Sequence, residues 1–339
     1  MDLPLDRLAA HMSARGVPIR GLTAQLLTGG RSNLTYLLRA DTPEGARQWV
    51  LRRPPLRHVL ATAHDMTREH RVITALSGTA VPVPGTVLAC ADPGVIGVPF
   101  FVMEHVGGDV VRTSEAVLAL GQHGRTAGHS LVDVLAGLHA IDPDEVCLAD
   151  FGRPQGFLAR QVRRWTAQLA ASRNRDLPGI QELAGDLAGA VPHRTTSALV
   201  HGDYRLDNCV LRAGTVVAVL DWEMATLGDP LADLALFAVY TGGFADVGAE
   251  VIHSPAGIGT FPATRELLDR YVTATGRDLT DFSWYLAFAW FKLAVVLEGI
   301  HYRSLLGSSA GDAHHGVAAA VPYAVERGRA ALADQRWAA

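Results

Sequence analysis

His201, Asp203 and Asn208 stand in the spacing H-x-D-x-x-x-x-N, and Asp221 closes the apolar run Val216 to Leu220 downstream. A carboxylate can accept the proton of an incoming hydroxyl, while an amide oxygen and a second carboxylate can hold a divalent cation against phosphate oxygens. Those are the parts of phosphoryl transfer from ATP. The order in the chain assigns Asp203 as the proton acceptor and Asn208 and Asp221 as ligands of Mg2+. His201 braces the loop, and Arg205, beside the base, is grouped with it as catalytic. A polar turn in which Asp203 and Asn208 only cap backbone groups is the alternative. The apolar strands on either side, Ala198 to Val200 and Cys209 to Leu211, favour the catalytic assignment, as does the hairpin spacing to Asp221.

The elements around these residues fall into two kinds. Runs of β-type residues at Gly21 to Leu27, Leu34 to Ala40 and Gln48 to Arg53 are broken by Gly29-Gly30 and by Thr42-Pro43-Glu44-Gly45, which predicts an antiparallel meander. Apolar residues at helical spacing from His64 to Leu76 end at Pro82 and Pro84. Two strand-length runs follow, Thr86 to Cys90 and Pro99 to Val106, and then Gly107-Gly108. Beyond that point helical periodicity dominates: Ser114 to Ile141, Phe157 to Ser172, Gly179 to Val191, Pro230 to Tyr240, Thr264 to Thr275, Ser283 to Tyr302 and Gly316 to Ala333. The predicted class is α+β, with an antiparallel-sheet domain at 1–106 and a mainly helical domain at 107–339. Gly307 to Gly316 is the segment expected to be a mobile loop.

The segment Leu199 to Leu211, with Val219-Leu220-Asp221-Trp222-Glu223 after it, resembles the catalytic and metal-binding stretches of the aminoglycoside phosphotransferase and choline kinase family. Within it the likeness points to the phosphotransferase-like domains found alone in bacteria and fused to acyl-CoA dehydrogenases in animals. Val50 to Pro55, Arg68 to Val72 and Gly299 to Gly307 carry that part. The resemblance implies a bilobal protein-kinase-like fold that binds ATP and Mg2+. It implies that the glycine turn of Gly29, Gly30, Arg31, Ser32 and Asn33 covers phosphates, although the turn lacks the G-x-G-x-x-G pattern and an ordinary hairpin turn is the alternative. Kinases usually place a phosphate-gripping lysine on the third strand, and here Arg52 stands in its place, with Arg53 as runner-up. Glu69 is its expected partner. Met103, Glu104 and Val106 would form the adenine hinge, and Glu223 would assist Asp221 at the metal. Asp229 reads as a helix N-cap.

Composition limits the alternatives. The 339 residues are 49% hydrophobic and 19% charged with a formal net charge of -4, so the chain can bury a core and has no basic field for nucleic acid. Three dispersed cysteines suggest neither zinc nor a disulfide framework. Charges at Asp2, Asp6, Arg7 and Arg15 exclude a secretory signal, and Tyr285 to Ile300 is too short to span a bilayer. A soluble cytoplasmic enzyme with a small-molecule hydroxyl partner is expected, with neither nucleic acid nor membrane as partner. G-x-S-x-G and H-E-x-x-H are missing, which excludes the common hydrolase arrangements. The remaining rivals are an aminoglycoside-type antibiotic kinase and a nucleotide-binding pseudokinase. Polycationic antibiotics call for clustered carboxylates, yet Asp246 and Glu250, Glu266 and Asp269, and Asp278 and Asp281 are scattered. The helix Ser283 to Tyr302 instead puts Tyr285, Lys292 and Gly299 on one face. Lys292 and Arg303 favour an apolar or anionic hydroxyl acceptor such as a hydroxyacyl compound, although a solvated surface is the simpler reading of each alone.

Overall fold

The computed structural model describes residues 3–27, 33–55, 65–172, 174–193, 196–244, 252–305 and 316–334. The chain divides into two units, Met1–Gly108 with Val217–Ala225, and Asp109–Val216 with Thr226–Ala339. The sequence placed a single linear boundary at 106/107. The first unit instead reclaims 217–225, because the Val219 N–H donates to the Pro82 carbonyl at 2.8 Å and Arg68 donates to the Ala225 carbonyl at 3.1 Å.

The first unit contains α1 (Leu5–Ala14), β1 (Arg20–Leu27), β2 (Leu34–Thr42), β3 (Gly45–Arg53), α2 (Met66–Leu76), β4 (Thr86–Cys90), α3 (Pro93–Ile96) and β5 (Phe100–Glu104). Its antiparallel sheet has the order β1-β2-β3-β5-β4. Side chains alternate across a strand, so one face collects Tyr36, Leu38, Trp49, Leu51, Phe100 and Val102 against Leu8 and Met12 of α1. Burying each large side chain of this kind contributes about 1.5–3 kcal/mol. The opposite face carries Arg52 and Phe101, which are register partners, and α2 packs there through the edge of His70 against Phe101. α2 starts where the Asp65 carboxylate accepts the Arg68 N–H at 3.0 Å.

The second unit runs through α4 (Ser114–Ala119), α5 (Gly124–Ala140), α6 (Phe157–Ser172), α7 (Ile180–Gly189), β6 (Ala198–Val200) and β7 (Cys209–Arg212). A turn at Ala213 and Gly214, with φ of 49° and 81°, then sends the chain into β8 (Thr215–Val219) and from there into the first unit. It resumes at β9 (Thr226–Gly228), followed by α8 (Pro230–Ala238), a π-helical turn at Val239–Gly243, α9 (Thr264–Thr275), α10 (Phe282–Leu305) and α11 (Val317–Ala333). The helix expected over Ser114 to Ile141 is interrupted at Gly121, whose φ is 53°. α10 packs against α6, α7, α8 and α11.

α10 corrects two expectations. It is 24 residues long, and by length and composition it is the helix among the described residues that could cross a bilayer, yet 78% of its apolar window is buried within the protein. Nor does it have a solvated second face. Tyr285 is buried and donates to the Asp229 carboxylate at 2.9 Å, and Lys292 is partly buried, while Arg303, in the last turn, is exposed. Of the segment expected to be a loop, Gly307 to Gly316, all but Gly316 lies outside the described residues.

Candidate functional site

On the first unit, Arg52 bridges two carboxylates. Its guanidinium donates to Glu69 of α2 and, through Nη2, to Asp221 Oδ1 at 2.9 Å. Burial works against the arginine charge, but Glu69 and Asp221 overcome it and raise its pKa above the ordinary value. Burial dominates at Glu69 too and pushes its carboxyl up to about 7 against the pull of Arg52. Arg52 Nε remains buried with no hydrogen-bond partner among the described residues. Strand alternation turns Arg53 the other way, onto the α1 face, where Nη2 donates to the Tyr36 hydroxyl at 3.0 Å. The structure therefore brings Arg52, and not Arg53, to Glu69 and Asp221.

Asp221 has φ 65° and ψ 60°, a left-handed conformation that costs a non-glycine residue about 1–3 kcal/mol and concentrates at functional sites. The fully buried Trp222 fixes it by donating from Nε1 to the Val219 carbonyl at 3.0 Å. Tryptophan in Asp221-Trp222-Glu223 is thus the anchor of the turn. Glu223 Oε2 accepts from Asn33 Nδ2 at 3.0 Å, while Gly29, Gly30, Arg31 and Ser32 lie outside the described residues. Met103 is buried in β5, and the Glu104 N–H donates to the Gly85 carbonyl at 2.7 Å. The Glu104 side chain pairs with Arg47 at 3.2 Å, and Val106 follows the strand end.

On the second unit, the loop after β6 is held by its backbone. Asp233 of α8 accepts from the His201 N–H at 2.7 Å and from the Gly202 N–H at 2.8 Å, and Gly202 has φ 83°. The His139 ring lies 3.4 Å from the same carboxylate and 2.7 Å from the Tyr271 hydroxyl, and burial keeps that imidazole below its ordinary pKa. His201 Nδ1 accepts from the Asp203 N–H at 3.2 Å, which is the bracing expected of it. Asn208 Nδ2 donates to the Asp203 carbonyl at 2.9 Å and to its Oδ2 at 3.2 Å. With the amide nitrogen committed, the Asn208 oxygen is the group left to offer a cation. Arg205 Nε lies 3.8 Å from Asp203 Oδ2, and its Nη1 lies 3.4 Å from Asp207.

The model of the phosphotransferase enzyme family matches residues 23–282. The chain belongs to that family. It is 34% identical over 319 residues to acyl-CoA dehydrogenase family member 11 of Gallus gallus, covering 92% of this chain and 40% of that protein. The chain thus spans less than half the length of this relative. A solved structure from Ralstonia eutropha, named for its likeness to aminoglycoside phosphotransferases, is 29% identical with a TM-score of 0.82, covering 98% of this chain and 99% of that one. A ternary complex of streptomycin, ATP and an aminoglycoside phosphotransferase shares the fold at 17% identity and TM-score 0.60, over 93% of this chain and 99% of that one. The fold is protein-kinase-like, and the chain is a phosphotransferase of the small-molecule kinase type.

Several residues around the phosphotransferase loop were not legible as site residues. Asp233 is one of them, while Asp229, which the sequence marks as an N-cap, does cap α8 by accepting the Leu231 N–H at 2.9 Å. The spacing of His201-Gly202 to an acidic residue on the next helix is the signal that was available. Lys292 Nζ donates to the Gly202 carbonyl at 2.6 Å and sits 5.4 Å from the centre of the Trp165 ring. Burial lowers its pKa, with Asp203 pulling the other way. The Arg164 guanidinium lies 5.6 Å from the same ring, and Trp165 Nε1 is buried with no hydrogen-bond partner among the described residues. Lys292 was expected on a helix face; its place behind the catalytic loop is a tertiary fact. Glu266 pairs with Arg125 at 2.5 Å and Asp269 with Arg265 at 2.9 Å. Asp246 and Glu250 lie outside the described residues.

Proposed function

We propose that the enzyme transfers the γ-phosphoryl group of ATP to a hydroxyl of a small molecule. The acceptor oxygen bonds to the γ-phosphorus, the bond to the β–γ bridging oxygen breaks, ADP departs, and the acceptor proton passes to the Asp203 carboxylate. The observation that carries this reading is the grip of the Asn208 amide nitrogen on Asp203 Oδ2 at 3.2 Å, which orients a base and turns an amide oxygen toward cation duty. Arg52, with a donor still unused, suits the phosphates. No group of three or more His, Cys, Asp or Glu that could hold a metal occurs among the described residues. On the first unit Asp221 and Glu223, and on the second the Asn208 oxygen, are donors of the kind Mg2+ takes, since it binds one or two carboxylates and completes its shell with water and phosphate. When bound, Mg2+ supplies charge compensation on the phosphate oxygens.

For the acceptor we favour an anionic hydroxyl compound of the hydroxyacyl type. Lys292, Arg164 and the unused Trp165 N–H gather on the unit that carries Asp203, and the acidic residues of α9 are spent on arginines. Relatives that bear the acyl-CoA dehydrogenase name support the acyl part. Among the described residues no cluster of carboxylates supports an antibiotic acceptor. A pseudokinase reading draws on one contact, Arg52 to Asp221, which places a cation on the metal carboxylate.

The experiment is an ATP-consumption screen with Mg2+ over hydroxy acids, hydroxyacyl thioesters, sugar alcohols and kanamycin, with Asp203→Asn as control. The expected result is turnover with an anionic hydroxyl compound that falls about 100- to 10000-fold in Asp203→Asn, the range for loss of a general base. A fully active Asp203→Asn protein overturns the mechanism. Saturable phosphorylation of kanamycin overturns the acceptor class, and a protein that binds MgATP but phosphorylates nothing favours the pseudokinase.

A further inference from the structure

Tyr240 has no part in the motifs of the sequence, yet its hydroxyl donates to Asp203 Oδ1 at 2.9 Å, opposite the Asn208 contact to Oδ2. Both carboxylate oxygens are therefore held by donors, and each keeps a further acceptor position. The tyrosine is itself fixed. It stands in the π-helical turn Val239–Gly243 that widens the end of α8, a departure from helical geometry common at functional sites. Ser254 donates to the Tyr240 carbonyl at 3.2 Å and the Ala256 N–H to the Thr241 carbonyl at 2.9 Å, so a downstream segment straps the turn. The ring has the Arg205 guanidinium over it at 4.9 Å from its centre, which restrains its rotation. Burial, followed by the nearby Asp203 charge, raises the phenol pKa well above its ordinary value, so the group remains an O–H donor.

We propose that Tyr240 is the positioning residue of the base: its hydroxyl, with Asn208, locks the Asp203 carboxylate in one orientation so that the remaining lone pairs face the acceptor hydroxyl. Arg205 acts through the same ring, holding the phenol against the carboxylate. The role rests on Asp203 being the base. In an ordinary α-helical continuation of α8 the side chain would be displaced around the helix axis, so the π turn is part of the device.

The test uses the full chain with MgATP in single-turnover hydrolysis, with water as acceptor, and in turnover with the acceptor found by the screen. Tyr240→Phe keeps the ring beneath Arg205 and removes one hydroxyl. The expected result is a rate of phosphoryl transfer lowered about 10- to 100-fold, in keeping with loss of a hydrogen bond to a charged group, with MgADP affinity and melting temperature unchanged. In the Asp203→Asn background the same substitution adds no further loss. A crystal structure of Tyr240→Phe is expected to show the Asp203 carboxylate turned from its present orientation. Tyr240→Phe at the parent rate while Asp203→Asn is inactive overturns the role of Tyr240 alone, as does a retained carboxylate orientation. An equal further loss in the Asp203→Asn background marks a merely structural residue and also overturns it, whereas a fully active Asp203→Asn overturns the reading beneath it.

Discussion

Arg52 and Arg53 are adjacent, identical in type and both buried, yet one meets Glu69 and Asp221 and the other a tyrosine. The difference is the two-residue period of a strand. Truncation of Arg52 strands Glu69, which is 1% exposed, as a buried carboxyl without its counter-charge. Arg52→Ala is therefore expected to lower stability by about 3–5 kcal/mol in urea unfolding, the usual cost of breaking a buried pair from one side. Adding Glu69→Gln should recover at least half of the loss, and no recovery would mean that the pair is not the source. The double variant also isolates binding: it should lose ATP affinity about tenfold or more while adenosine binds as before, because only phosphate contacts are removed. Equal weakening of both ligands would take Arg52 out of the phosphate site.

At the scale of elements, sequence propensity treats Gly128 and Gly137, both in the interior of α5, alike. A Cβ on Gly128 would lie 2.5 Å from Pro262 Cδ and 2.8 Å from Cγ, whereas one on Gly137 would meet nothing within 4 Å. Alanine in a helix interior gains about 0.8–1.0 kcal/mol over glycine. Gly137→Ala should show that gain. Gly128→Ala should instead lose about 1–3 kcal/mol through overpacking against a ring that cannot turn aside. Denaturant midpoints decide the pair, and a stabilised Gly128→Ala would show that α5 and the segment before α9 can separate at low cost.

At the scale of the whole molecule, the loop that carries Asp203 depends on a buried network. His139 faces Tyr271, Asp233 and, through electrostatics, Arg277, and burial lowers its pKa. A histidine kept neutral by the fold takes up its proton on unfolding, so its contribution is fully present above the unfolded pKa of about 6.5 and declines as pH falls. The melting temperature should therefore drop between about pH 7.5 and about pH 5.5, and the drop should shrink in His139→Gln. An identical slope in the variant would assign the acid sensitivity elsewhere.

The sequence by itself determined the family, the α+β class and most strand and helix spans, and it named His201, Asp203, Asn208 and Asp221 as candidates. Chemistry at a spacing and periodicity along a chain are both local patterns. Only the tertiary structure decided which arginine meets Glu69, that 217–225 packs with the first unit, and that α10 is buried on nearly every side. The same holds for Asp233, Lys292 and Tyr240 at the base: each reaches Asp203 or its loop from a separate helix or turn, and strand alternation, burial of α10 and a π turn set those placements. None of these leaves a fixed spacing in the chain, because each is a contact between segments brought together by packing.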